Sequence, residues 1–278
     1  MTEYLEIEGG RLAYDVTGEG PLVVLCHGMG DGREAYRFLA PRLVAAGYRV
    51  AKADLRGHGE STTGWPSYTR TDTAHDLLAL IRHLGGPAVV VGHSFAGGAA
   101  TIAAATDPDL VVAVVEIGPF TRVQKLDLGG LLRDGRHRRG MMLLLGAGAL
   151  RSVGLWRRYL DHAHPGVRPA DHDEYMAALE RALRRPGRMA VVAKMGMSAP
   201  ADAGARLPDL RVPALVVMGT LDPDWADPGA EADGVVAGMP AGRGTVAMIE
   251  GAGHYPHAQF PAEVADVVLP FLKEHARG

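Results

Sequence analysis

Three apolar, strand-like runs in this 278-residue sequence each lead into a side chain that can do chemistry. One run leads into Ser94, a second leads into Asp222, and a shorter third run leads through glycines to His254. A serine hydroxyl is a weak nucleophile unless a base removes its proton, and imidazole, with a pKa near neutrality, suits that role. A carboxylate can hold the imidazole tautomer and stabilise the imidazolium. The residue types and their order therefore predict a nucleophile, an acid and a base for acyl transfer.

The segment VVVGHSFAGG, residues 89–98, predicts a strand followed at once by a helix, with Ser94 at the turn. Gly92 permits tight or left-handed backbone, and Ala96 and Gly97 let the helix pack close to the strand. The first N–H groups of that helix would face any negative charge that develops beside the serine. The strict G-x-S-x-G pattern would need glycine at position 96, and serine is also a common N-cap. A purely structural Ser94 therefore stays open as an alternative.

The acid is less sharply defined than the nucleophile. Asp222 follows Gly219 at a spacing that favours it, but it could instead be a turn former, with Asp224 or Asp227 as the acid. Glu116, at the end of another strand-like run, is a further alternative. We expect Asp222 to be the partner of His254.

Strand-like and helix-like segments alternate through most of the chain, which predicts an α/β fold with a mostly parallel, doubly wound sheet. We expect a core of residues 1–118 and 209–278, interrupted by a helical insertion over 119–208. Within the core, the predicted elements are a hairpin of 4–8 with 11–17, strands 21–25, 48–53 and 111–117, and helices 33–46, 71–84 and 262–275.

Further motifs make the chain similar to the α/β-hydrolases over nearly its whole length. LCHGMG, residues 25–30, resembles the family's oxyanion loop, and DLRGHGES, residues 54–61, resembles its D-x-R-G-x-G-x-S turn. GAGHYPH, residues 251–257, resembles its histidine loop. Together with the serine and aspartate turns, these motifs stand in the family's order.

The resemblance implies a helical cap formed by residues 119–208. It also implies an oxyanion hole made by the backbone N–H groups of Met29 and Phe95. Relatives that carry aspartate in place of Ser94, such as epoxide hydrolases and dehalogenases, are not the expected match. His27 and His93 flank these groups and are expected to be structural.

We therefore expect a serine hydrolase that cleaves an ester, lactone or thioester of a small, largely apolar molecule through an acyl-Ser94 intermediate. A C–C bond hydrolase with the same triad is an alternative. A lyase, an isomerase or a ligand sensor on the same fold is a second alternative. A small-molecule substrate is the expected partner, with no cofactor and no metal, and the oligomeric state stays open.

Composition adds few constraints. The formal net charge of −3 recruits neither nucleic acid nor an anionic membrane, and the single cysteine, Cys26, allows no intrachain disulfide framework. Residues 1–6 have neither a basic nor an apolar character, so no signal peptide is expected. The apolar stretch 141–150 is too short to span a bilayer, which needs about 20 residues. These features predict a cytoplasmic protein.

Three features of the insertion can be interpreted either as functional or as merely structural. DHAH, residues 161–164, and DHD, residues 171–173, contain metal-ligand residue types, but their spacing favours a solvated cap loop. The arginine cluster 133–139 is expected to be a solvated face, with recognition of an anionic group as the alternative. Four methionines could be cap core or could line an adaptable pocket: Met141, Met142, Met195 and Met197.

Overall fold

The computed structural model describes residues 1–123, 129 and 133–276. Eight strands form one sheet in the order β1-β2-β4-β3-β5-β6-β7-β8. The strands are β1 (Glu3–Ile7), β2 (Gly10–Thr17), β3 (Leu22–Cys26), β4 (Arg49–Ala53), β5 (Ala88–His93), β6 (Val111–Ile117), β7 (Ala214–Gly219) and β8 (Gly244–Ile249). The β1–β2 and β2–β4 pairs are antiparallel, and every other pair is parallel.

Helices cover both faces of this sheet. Those in the described ranges are α1 (Ala40–Ala45), α2 (Arg70–His83), α3 (Phe95–Thr106), α4 (Gly135–Leu150), α5 (Val153–His162), α6 (His172–Leu183), α7 (Arg188–Gly196), α8 (Ala201–Gly204), α9 (Pro228–Ala237), α10 (Pro256–Gln259) and α11 (Pro261–His275). One apolar cluster packs α2, α3 and α9 on one face, and another packs α1 and α11 on the other. The predicted doubly wound α/β fold is therefore confirmed.

The expectation of one helix over 33–46 is wrong. The chain forms a 3-10 turn at Arg33–Tyr36 and then the short helix α1 (Ala40–Ala45). Pro41 lies in the first turn of α1. Proline has no N–H to continue the helical hydrogen bonds, and its ring clashes with the preceding turn, so a continuous helix cannot pass through position 41.

The described elements between β6 and β7 are helical, and the longer helices of this insertion are α4 to α7. A third apolar cluster joins α5, α6 and α7 to Tyr255 and Ala258, which follow β8. The insertion therefore packs against a loop at the carboxyl end of the sheet. Within the ranges that the structure describes, no helix is both long and apolar enough to cross a membrane.

Glu116, near the end of β6, is fully buried and bonds to two threonines. The hydroxyls of Thr101 and Thr121 each donate to one of its carboxylate oxygens at 2.5 Å. Burial raises the pKa of Glu116 from 4.5 to about 7, against the effect of these two hydrogen bonds. The structure thus places Glu116 as a bridge between α3 and the segment after β6, rather than beside His254.

The Glu116→Gln variant tests this buried carboxyl. Because the pKa is higher in the folded state, the free energy of unfolding contributed by Glu116 falls as pH rises between about 4.5 and 7. Glutamine carries no charge, so we expect the variant to gain stability relative to wild type from pH 5 to pH 8, by up to about 3 kcal/mol. Urea unfolding at both pH values measures this, with the exposed Glu263→Gln as the control. A difference that does not change with pH would contradict the assignment.

Candidate active site

Ser94 lies at a sharp turn between β5 and α3. Its φ of 54° and ψ of −115° are rare for a residue with a side chain and indicate local strain. Its side chain makes no capping hydrogen bond. The alternative of an ordinary N-cap serine is therefore wrong, because an N-cap has extended backbone and its hydroxyl accepts from the first turn.

Small neighbours make this turn possible. A Cβ at Gly92 would lie 2.3 Å from the carbonyl oxygen of Ala96, and one at Gly97 would lie 2.8 Å from the Cβ of Pro119. Alanine fits at position 96, where it is fully buried. The Ser94 N–H donates to the carbonyl of Ile117 at 2.8 Å, which ties the turn to the end of β6.

His254 and Asp222 form a buried pair in the loops after β8 and β7. His254 Nδ1 lies 2.8 Å from Asp222 Oδ2. A carboxylate only accepts, so Nδ1 carries a proton and Nε2 is the nitrogen that titrates. The backbone of His254 is fixed on both sides: its N–H donates to the carbonyl of Ala163 at 3.0 Å, and its carbonyl accepts from His93 Nε2 at 2.8 Å.

A second carboxylate belongs to the same cluster. Asp224 Oδ2 lies 3.4 Å from His254 Nδ1 and accepts a hydrogen bond of 2.7 Å from the Tyr159 hydroxyl. The Asp224 N–H donates to Asp222 Oδ1 at 3.0 Å. Asp227 instead caps α9 by accepting from Ala230 N. Of the three aspartates considered from sequence, Asp222 is therefore the closest to the imidazole.

The buried charges of this cluster shift the pKa values of their neighbours. Burial lowers the pKa of His254, but the charges of Asp222 and Asp224 raise it by more, to about 9. Burial raises the pKa of Asp224 to about 6. The charge of His254 opposes this increase, and the charge of Asp222 adds to it. The environment thus favours imidazolium, which is the state that a base reaches after taking a proton.

The loop after β3 lies against the serine. A Cβ at Gly28 would lie 2.9 Å from the Cβ of Ser94. The Leu55 N–H donates to His27 Nε2 at 3.1 Å, so Nδ1 carries the proton and donates to the Gly28 carbonyl at 2.7 Å. The C=O and N–H of a trans peptide point in opposite directions, so this bond turns the Met29 N–H away from His27.

A cavity of about 580 Å³ lies over these loops. Ser94, His254, Met29 and Phe95 line its floor, and α4, α5 and α7 contribute mostly apolar walls that include Leu144, Leu145, Trp156, Val192 and Met195. Met195 and Met197 both line it. Of the two alternatives for the methionines, the pocket therefore fits these two, whereas Met142 is an exposed side chain.

Two residues of α5 hold the site in a way that the sequence did not reveal. Trp156 Nε1 donates to the carbonyl of Gly30 at 3.0 Å, and the Tyr159 hydroxyl donates to Asp224. Their i, i+3 spacing puts both rings on one face of the helix, which is the signal that could have paired them. The insertion therefore touches the loop after β3 and the acid loop at once.

The metal-like residues of the insertion form aromatic and hydrogen-bonded contacts. His164 stacks on Tyr255 with ring centroids 4.6 Å apart, and His172 donates to Asp161 at 3.1 Å. Both imidazoles are buried, so the expectation of a solvated loop is wrong for them. Burial lowers the pKa of His164 to about 3, so its imidazole stays neutral.

Asp222, Asp224 and His254 also place donor atoms close enough together to hold a metal ion. Their hydrogen bonds to one another and to Tyr159 already use most of these possible metal-ligand atoms.

In the arginine cluster 133–139, Arg136 pairs with Asp134 at 3.4 Å and His137 bonds to the Pro223 carbonyl. The cluster therefore braces the acid loop through His137.

Comparison with known proteins agrees with this architecture. The model of the alpha/beta hydrolase family matches residues 23–267. The 2-(acetamidomethylene)succinate hydrolase of Mesorhizobium japonicum is 30% identical over 223 residues, 77% of this chain and 76% of that protein. A thermophilic esterase from Thermogutta terrifontis has a TM-score of 0.75 at 24% identity, covering 99% of this chain and 98% of that one. Epoxide hydrolase CorEH has a TM-score of 0.79 at 21% identity, covering 99% of each chain. These structural likenesses show the fold.

The pKa of His254 should respond to both carboxylates. Removing the charge of Asp224 in Asp224→Asn should lower the pKa of His254 by about 1 or more, and Asp222→Asn should lower it further because Asp222 is closer. NMR titration of the imidazole ¹⁵N signals measures this. Asp227→Asn, which removes an aspartate of the same loop but keeps a capping side chain, is the matched control. An unchanged pKa in Asp224→Asn would contradict the described cluster.

Proposed function

The chain belongs to the alpha/beta hydrolase family, and from that premise we propose that it is a serine hydrolase. Its substrate is an ester, lactone or thioester of a small molecule, and the reaction passes through an acyl-Ser94 intermediate. The observation that carries this proposal is the convergence of Ser94, at a strained turn, and His254, hydrogen-bonded to Asp222, on one cavity. A hydroxyl that caps no helix is available for attack.

In the proposed reaction, Ser94 Oγ attacks the substrate carbonyl carbon while His254 Nε2 takes the hydroxyl proton. Asp222 stabilises the imidazolium, and the charges of Asp222 and Asp224 raise the pKa of His254, which favours the protonated ring. The tetrahedral intermediate then expels the alcohol or thiol, which receives the proton from His254. Water, deprotonated by the same imidazole, releases the acid and restores Ser94.

We assign the oxyanion hole to the N–H groups of Met29 and Phe95. Phe95 directly follows the nucleophile and begins α3, so its N–H lies at the positive end of the helix. The bond from His27 to the Gly28 carbonyl turns the Met29 N–H the other way, and Met29 lines the cavity beside Ser94. Two fixed donors in a largely apolar cavity stabilise negative charge better than water does.

The helical insertion, residues 119–208, acts as a cap in this proposal. Its described helices supply much of the cavity wall, and the Ala163 carbonyl fixes the backbone of His254. Because position 94 is serine, the proposal does not include epoxide opening by an aspartate nucleophile at this turn.

A fluorophosphonate probe tests the nucleophile. Intact mass of the wild-type protein should show one adduct, and Ser94→Ala should show none and should lose ester turnover by on the order of 10⁴-fold or more. Ser67→Ala, which removes a serine outside the cavity, is the matched control and should label like wild type. Folded wild-type protein without an adduct would favour the lyase or sensor alternatives.

Close approach of Gly28 to the serine gives a second test. In Gly28→Ala the added methyl would meet the Cβ of Ser94 and the ring of His93, each at 2.9 Å, and push the Met29 N–H out of place. We expect kcat/KM for esters to fall by about 10²–10³-fold, the typical cost of losing one oxyanion donor. Gly32→Ala is the control in the same loop, because its φ is −152° and its nearest contact would be 3.7 Å. Equal losses in both variants would count against the assigned oxyanion hole.

A further inference from the structure

A buried arginine lines the same cavity as Ser94. Arg70 is the first residue of α2, and its side chain is only 4% exposed. Its Nε donates to the carbonyl of Phe120 at 2.9 Å, and its Nη1 donates to the carbonyl of Ser198 at 2.8 Å. For Nη2, the remaining guanidinium nitrogen, no hydrogen bond to any described residue is present. The cavity wall, otherwise largely apolar, therefore contains a cation.

This cation lies against the residue that follows the nucleophile. The guanidinium carbon is 4.2 Å from the centre of the Phe95 ring, and Phe95 follows the nucleophile directly. Phe120 links Arg70 to the turn, because its N–H donates to the Ser94 carbonyl at 3.1 Å while its own carbonyl accepts from Arg70. Gly98 makes room for the side chain, since a Cβ there would lie 2.8 Å from Arg70 Cδ.

The protein itself compensates little of this charge. Among residues 1–123, 129 and 133–276, no carboxylate lies within ion-pair distance of Arg70, and its two acceptors are neutral carbonyls. The charge of Asp202, which accepts from the backbone N–H and the hydroxyl of Thr71, favours the protonated Arg70 only from beyond ion-pair distance. Burial lowers the pKa of Arg70 to about 10, and the positive end of α2 adds to the cost. A buried cation without a paired anion is unfavourable unless a ligand supplies one.

We propose that Arg70 determines substrate specificity by binding a carboxylate of the substrate, a few atoms from the scissile carbonyl. This inference rests on the proposed serine hydrolase function and narrows it to esters of acidic small molecules. The planar guanidinium suits a carboxylate, and the Phe95 ring and two carbonyl bonds hold it in one orientation. Asp224, which also lines the cavity, would repel the same carboxylate and so helps to set the binding direction.

Isosteric ester pairs test the proposal on the wild-type protein. Monomethyl succinate is compared with methyl 4-methylpentanoate, in which an isopropyl group replaces the carboxylate of the acyl half. The sodium salt of 3-acetoxypropanoic acid is compared with 3-methylbutyl acetate, which makes the same exchange in the alcohol half. Turnover is followed by pH-stat. We expect kcat/KM to favour the acidic member of at least one pair by about 10- to 100-fold, the size of a charge-assisted hydrogen bond.

Arg70→Met and Arg70→Lys separate binding from packing. Methionine should lower kcat/KM for the acidic ester by about tenfold or more relative to that for its neutral partner, and lysine should keep part of the preference. Arg188→Met is the matched control, because Arg188 is also buried and also donates to a carbonyl, that of Ser61 at 2.9 Å, but does not line the cavity. The wild-type comparison stands even where Arg70→Met does not fold.

Two results would overturn the inference. One is a wild-type protein that hydrolyses the neutral esters as well as or better than both acidic ones. The other is an Arg70→Met variant that loses both members of a pair equally, which would make Arg70 a structural clamp on Phe120 and Ser198. The absence of any turnover together with no fluorophosphonate adduct would instead contradict the serine hydrolase itself, so the two failures are distinguishable.

Discussion

The strained backbone of Ser94 is the constraint on which the rest of the site depends. A left-handed φ at a residue with a side chain persists only where the surroundings over-determine it. Here the serine N–H is held by the end of β6, and its carbonyl accepts from Phe120 and Gly97. The turn therefore fixes where the chain leaves β6, where α3 begins and how closely the loop after β3 must approach.

The charged groups around this turn are arranged by burial. Two carboxylates face one imidazole, and the tyrosine hydroxyl on Asp224 spreads the negative charge over a wider set of partners. Such a cluster is costly to bury unless its members are bonded, and its bonds join the loop after β7 to the loop after β8 and to α5. The insertion supplies part of this bonding through Tyr159 and the Ala163 carbonyl, so the core does not complete the site by itself. The insertion and the loops that carry Asp222 and His254 therefore pack as one unit.

Much of the fold could be predicted from the sequence, since the β-branched runs, the glycine turns and the alternation of elements are all local signals. The sequence also contained the signal for the break in the predicted helix 33–46, because Pro41 cannot continue a helix. Tyr159 and Trp156 could not be assigned roles, because their partners depend on how α5 lies on the core. The burial of His164 depends likewise on a ring 91 positions further along the chain, Tyr255. A single arginine at the start of a helix, such as Arg70, carries no local sign that it faces a cavity.

Covalent capture of the acyl group during turnover is the most direct test of Ser94 as the nucleophile. The protein is mixed with a p-nitrophenyl ester, quenched in acid within milliseconds, digested and analysed by mass spectrometry. If Ser94 is the nucleophile, the peptide containing Ser94 gains the mass of the acyl group, at a rate at least equal to steady-state turnover. Product formation with no acylated peptide, or with the acyl group on another residue, would contradict it.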